Sequence, residues 1–208
     1  MNSPQTLFDT HLPPLAERVR PQTIEEFCGQ GHLVDKGKIL HRLIGQSASI
    51  SMIFWGPPGT GKTTLARMIA KSSDAKIKEM SAVSSGVKDL RDVIAFAKNN
   101  RDMGQKTILF IDEIHRFSKS QQDALLHAVE DGTITLMGAT TENPSFEVIS
   151  PLLSRCRVLT LKPLQKNHLK KILERAFTQD VILSKSSITI KNLERDLLIQ
   201  SDGDNARK

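Results

Sequence analysis

The residues best suited to chemistry are Gly56, Pro57, Pro58, Gly59, Thr60, Gly61, Lys62 and Thr63, with Thr64 directly after them. They fit the spacing G-x-x-x-x-G-K-[ST] at every fixed position. Glycines let the backbone curl so that successive N–H groups point at phosphate oxygens. Lys62 brings a positive charge to the β- and γ-phosphates of ATP. The Thr63 hydroxyl can ligate Mg²⁺, and a helix that starts here turns its positive end to the anion. The spacing therefore predicts a nucleotide site that takes ATP and Mg²⁺.

A second cluster is Thr107-Ile-Leu-Phe-Ile-Asp-Glu113, an apolar run closed by two carboxylates. Buried carboxylates are costly unless they meet something cationic. A buried strand that delivers Asp112 to Mg²⁺ and Glu113 to the attacking water meets that condition. A third cluster, Gly138-Ala-Thr-Thr141, closes another apolar run with hydroxyls. Thr141 is the favoured contact for the γ-phosphate or its water, with Thr140 and Asn143 as alternatives.

These groups need a scaffold. Ser51–Trp55 reads as a buried strand that ends at the glycine loop, and Thr63–Lys71 as the helix after it. Strands are further expected at 76–83, 107–111, 133–139 and 157–161. Val87, Leu90, Val93, Ile94 and Ala97 recur at helical spacing over 86–99. Residues 118–130 form another helix, with Gly132 near its end. Strands alternating with helices imply a parallel sheet covered on both faces. Thr23 and Glu26 have capping-box spacing, so a short helix is expected there. After Pro163 the pattern turns helical. Asn167 can cap a helix striped by Leu169, Ile172, Leu173, Ala176 and Phe177. A second helix is expected over roughly 191–201, with a short strand-like run at Ile188–Ile190. The domains follow as an N-terminal arm at 1–14, a nucleotide-binding core at 15–163 and a partial helical unit at 164–208.

Composition sets bounds. The 208 residues suffice for one α/β domain and part of another, and aromatics at 4% make the core mainly aliphatic. The net charge of +6 is compatible with phosphate-rich partners such as DNA, and Arg116 and Lys119 are candidate contacts. Cys28 and Cys156 stand apart, without a CxxC pair or a His/Cys cluster, which argues against zinc and suits a reducing compartment. The start, Met1 to Pro14, lacks the basic and apolar regions of a signal peptide, and apolar runs are far below a membrane span. A cytoplasmic protein with no membrane partner is expected.

Together, GPPGTGKT, the Asp-Glu strand and Ser154-Arg155-Cys156 resemble AAA+ proteins of the clamp-loader clade. Longer stretches resemble the replication-associated recombination protein A family, which includes the Werner-helicase-interacting ATPase. These are Pro14–Gln30, Ser81–Val87, Asp112–Asp123, Glu130–Thr135 and Gly138–Phe146 (GATTENPSF). The resemblance runs from about Pro14 to Lys208. It implies a P-loop αβα sandwich with a five-stranded parallel sheet, followed by the start of a small helical lid. It implies an ATPase acting at stalled replication forks in replication, recombination and repair, near the nucleoid. The implied partners are single-stranded or forked DNA, the single-stranded-DNA-binding protein and further copies in a ring. In that ring Arg155 would reach the neighbour's ATP, a contact worth ~10³–10⁵ in rate. Arg207, in Gly203-Asp-Asn-Ala-Arg207, is the implied lid arginine at the γ-phosphate, and Arg18 and Gln30 would border the adenine.

Relatives of this family continue past that element, whereas the chain stops at Lys208. Weak ring formation and reduced hydrolysis are the resulting expectations. Two other functions compete: a clamp-loader subunit or Holliday-junction motor, against which GATTENPSF and HRFSKSQQD argue, and a catalytically silent nucleotide-binding module.

Overall fold

The computed structural model describes residues 12–44 and 50–185. The expected helix at 191–201, the run at Ile188–Ile190 and Arg207 lie outside the described residues, as does most of the 1–14 arm. The chain divides into two compact units, one of Gln30–Lys162 and one that joins the segment up to Gly29 with the segment from Pro163.

In the larger unit, parallel strands β1 (Met52–Trp55), β2 (Lys76–Ser81), β3 (Thr107–Asp112), β4 (Thr135–Thr140) and β5 (Arg157–Thr160) form one sheet in the order β2-β3-β4-β1-β5. The expected parallel sheet of five strands is what the chain forms. Its central strands are apolar because both faces are covered: Ile53, Phe54, Leu109, Ile111, Leu136 and Ala139 are fully buried. The register sets Trp55 against Thr140 and Ile111 against Gly138, so β4 lies between the strand that feeds the glycine loop and the strand that ends in Asp112. The ends of these three strands share one edge of the sheet, where open α/β sheets bind ligands.

Helices α4 (Lys62–Ser72), α5 (Val87–Asp102) and α6 (Lys119–Glu130) follow β1, β2 and β3. α4 buries Leu65, Ala66, Met68 and Ile69. α6 opens with a capping box in which Ser118 and Gln121 satisfy each other's backbone N–H groups. Short helices α2 (Gly31–Val34), α3 (Ile39–Ile44), α7 (Pro144–Glu147) and α8 (Ser150–Ser154) were not foreseen. Each has fewer than eight residues and is held by packing, with Leu33, Val34, Leu40, Leu43 and Leu152 buried.

In the smaller unit, α1 (Leu15–Arg18) and α9 (Lys166–Gln179) hold the described parts together. The Arg18 guanidinium grips the Asp180 carboxylate at 2.6 Å. Arg175 donates to the carbonyls of Glu26 and Val19 at 2.6 and 2.7 Å. These contacts draw residues 15–29 into the same unit as α9, where the sequence placed them in the core. They also explain the missing helix at Thr23. Residues 24–26 form only a turn, and the Glu26 carboxylate accepts from the Gln22 N–H instead of completing a box with Thr23. The α9 N-cap is Gln165, two residues before the expected Asn167. Among the described residues no helix is long and apolar enough to cross a membrane.

Candidate functional site

The loop between β1 and α4 has the backbone its glycines permit. Gly59 and Gly61 adopt φ of 75° and 97°, values that side-chain-bearing residues rarely accept. Gly56 is required for another reason. A Cβ there would lie 2.4 Å from the Leu161 carbonyl oxygen, so only glycine lets the chain leave β1 beside the end of β5. The Gly56 N–H donates to the Thr140 carbonyl at 3.1 Å, which ties the loop to the end of β4.

Pro57 and Pro58 are exposed at the loop's outer edge, and the Thr60 hydroxyl donates inward to the Pro57 carbonyl at 2.9 Å. Lys62 is 7% exposed, and its ammonium donates to the Gly56 and Pro57 carbonyls at 2.8 Å each. Two of its partners are thus neutral loop carbonyls, weaker acceptors for an ammonium than phosphate oxygens would be. Thr63 and Thr64 follow in the first turn of α4, Thr64 buried and Thr63 half-buried. These groups fit a triphosphate: a curled backbone, a buried cation and a helix start. Thr63, in the first turn of α4, and Asp112, at the end of β3, carry the oxygen donors that the sequence reading assigns to Mg²⁺.

Asp112 ends β3, paired in register with Ser81 of β2. Glu113 follows with φ 53°, a left-handed conformation unusual for a residue with a side chain. That backbone turn aims the carboxylate toward β4. The Thr141 hydroxyl donates to Glu113 Oε2 at 3.4 Å, and His115 Nδ1 stands 3.2 Å from the same oxygen. Of the three candidates for the phosphate-facing hydroxyl or amide, Thr140 is fully buried and bonded to Glu142 and His115. The Asn143 side chain caps α7 by accepting from the Ser145 N–H. Thr141 is the one that touches Glu113.

Other candidates fall elsewhere. The Gln30 side chain is 5% exposed overall and pairs at both ends with the Lys162 backbone, at 2.6 and 2.9 Å. It fastens the start of the larger unit to the segment after β5, and both ends of its amide are occupied there. Arg18 belongs to the smaller unit, where the hydrogen-bonded Asp180 raises its pKa further. Arg155 follows α8 and is 42% exposed, donating to the Pro151 carbonyl and the Ser154 hydroxyl and pairing with Glu130. Sequence reasoning missed His115 and Glu130. His115 sits two positions after Glu113, a spacing that could have drawn notice, but its partner Thr140 comes from a different strand.

The profile of the ATPase family associated with various cellular activities (AAA) matches residues 52–164. The replication-associated recombination protein A of Escherichia coli (strain K12) is 51% identical over 183 residues, covering 84% of this chain and 41% of that protein. That of Haemophilus influenzae is 53% identical over 163 residues, 78% of this chain and 36% of that protein. ATPase WRNIP1 of Dictyostelium discoideum is 45% identical over 192 residues, 92% of this chain and 22% of that protein. The chain thus spans about two fifths or less of the length of these relatives. Among solved structures, the RuvB Holliday junction branch migration motor of Thermotoga maritima matches at 29% identity with a TM-score of 0.72, over 91% of this chain and 62% of that one. With the match spanning every strand of the sheet and the loop, the chain belongs to the ATPase family associated with various cellular activities.

Proposed function

We propose that the chain binds and hydrolyses ATP as the motor portion of a protein that maintains stalled replication forks during replication, recombination and repair. The observation that carries the ATPase reading is the meeting of Glu113 with Thr141 beside the Lys62 loop, on one edge of the sheet. The identity to replication-associated recombination protein A supports the fork assignment.

In this reading the loop N–H groups and Lys62 bind the phosphates. Thr63 and Asp112 would hold Mg²⁺, which would neutralise phosphate charge there. Glu113 orients the attacking water and accepts its proton, and Thr141 steadies that carboxylate. Arg155 of a second copy adds charge where the γ-phosphate becomes more anionic, so the working form is a homo-oligomer. The exposed Arg116 and Lys119, close in sequence to Glu113, are the candidate contacts for single-stranded or forked DNA. The single-stranded-DNA-binding protein and a place at the nucleoid belong to the same reading.

The test is phosphate release with and without single-stranded and forked DNA. Wild type should turn over ATP faster with DNA, and the stimulation should fall steeply with salt. Glu113→Gln should bind ATP normally and hydrolyse it about 100-fold or more slowly. Equal, DNA-indifferent release by both proteins would rule the reading out. The similarity to RuvB favours a second reading, a Holliday-junction motor, for which a four-way junction rather than a fork would be the strongest stimulant.

A further inference from the structure

His115 has a place in the site that the nucleotide loop and the paired carboxylates do not account for. Its side chain is 8% exposed. Nδ1 lies 2.9 Å from Thr140 Oγ1 and 3.2 Å from Glu113 Oε2. The Thr140 hydroxyl accepts from the Glu142 N–H at 3.0 Å and donates to the Glu142 carbonyl at 3.2 Å. With its proton directed to Glu142, that hydroxyl has only a lone pair left for the ring. The carboxylate oxygen is also an acceptor. An acceptor carboxylate and a hydroxyl placed to accept, both beside one ring nitrogen, favour the tautomer with the proton on Nδ1, shared between them.

We propose that His115 is a positioning residue that fastens the Glu113 carboxylate to the end of β4 through a shared Nδ1–H. The proposal rests on the reading of Glu113 as the group that handles the attacking water. Its physical sense follows from the backbone. Glu113 leaves β3 with φ 53°, and its flexible side chain would otherwise sample rotamers away from the phosphate. Thr140, fully buried, is the fixed point. Its carbonyl also accepts the Gly56 N–H, so one residue of β4 is bonded to the nucleotide loop and, through His115, to the carboxylate. Since β4 lies between β1 and β3, this bridge spans the gap between strands that do not pair with each other.

Two measurements on the chain test this. The first is the ring tautomer, read from the ¹⁵N shifts of His115 in the folded protein. Nδ1 protonation is expected, and a neutral ring protonated at Nε2 would overturn the proposal whatever the turnover. The second is a kinetic cycle with ATP affinity measured alongside. His115→Ala should lower kcat about tenfold with ATP affinity within twofold of wild type. His115→Asn, whose amide N–H occupies the Nδ1 position, should recover most of the rate. In the Glu113→Gln background His115→Ala should cost nothing more, since a residue that acts only through Glu113 has nothing left to act on. An unchanged kcat in His115→Ala, or an equal loss in both backgrounds, would overturn the proposal while leaving Glu113's role intact. If Glu113→Gln itself hydrolyses at the wild-type rate, the underlying reading fails first.

Discussion

Glu113 combines a reactive side chain with an unfavourable backbone. Holding a side-chain-bearing residue at φ 53° costs on the order of 1–2 kcal/mol. Glu113→Gly should remove that strain and stabilise the fold by about 1 kcal/mol, seen as a higher urea midpoint, while abolishing hydrolysis. A lower midpoint would mean that the carboxylate's own contacts outweigh the strain. The sequence shows Lys62, Asp112 and Glu113 because their roles follow from residue type at fixed spacing. It does not show His115 or the φ of Glu113, since both depend on where β4 lies. It names Thr140, Thr141 and Asn143 as candidates for the proposed phosphate contact. Choosing among them takes the side-chain bonds that occupy Thr140 and Asn143.

At the level of elements, the strands and long helices are legible because their apolar patterns are long and both faces of the sheet are covered. The strand order is not, since adjacent apolar runs carry no label of their neighbours. The Thr23–Glu26 box fails for a related reason. The Glu26 carbonyl within the box, and the Val19 carbonyl before it, are taken by Arg175 from the far end of the chain. The Arg18–Asp180 pair is another such long-range tie. The Asp180 carboxylate is fully buried and is pulled down to about 2, chiefly by its hydrogen bond from Arg18. Its folded pKa lies below the ordinary value of about 4, so its stabilisation is complete above pH 4 and is lost as pH falls toward 2. Asp180→Asn keeps an acceptor for the Ile182 and Leu183 N–H groups but removes the charge. It should cost the smaller unit about 2 kcal/mol at pH 7 and flatten the acid dependence between pH 4 and 2, as read by hydrogen exchange of α9 amides.

At the level of the whole molecule, Arg155 is the group whose proposed role lies outside its own chain. Within the chain it pairs with Glu130 at an exposed site, an ion pair of the kind worth at most about 1 kcal/mol and readily exchanged for a phosphate. If it works on a neighbour, Glu113→Gln and Arg155→Ala chains, each inactive, should regain hydrolysis when mixed. The first supplies an arginine and the second an intact carboxylate. Activity should rise with total protein concentration, and no recovery at any ratio would confine Arg155 to a structural part. The AAA membership was legible from the loop and the Asp-Glu strand. The proposed association of copies is not legible in one sequence, because the surfaces that would meet belong to different copies.

The strand that feeds the loop ends in the chain's single tryptophan, and the chain has no tyrosine. Trp55 is half-buried, one residue before Gly56 and flanked in register by Thr140 and Thr160. Excitation at the indole band therefore reports on one location, at the root of the nucleotide loop. Adding ATP should change its emission intensity or wavelength in wild type, with Lys62→Ala as the silent control. An indole blind to ATP at concentrations that saturate the site would mean that the loop accepts phosphate without moving its own base. The fold thus carries an optical probe of its site, and binding to the variants above can be followed without a label.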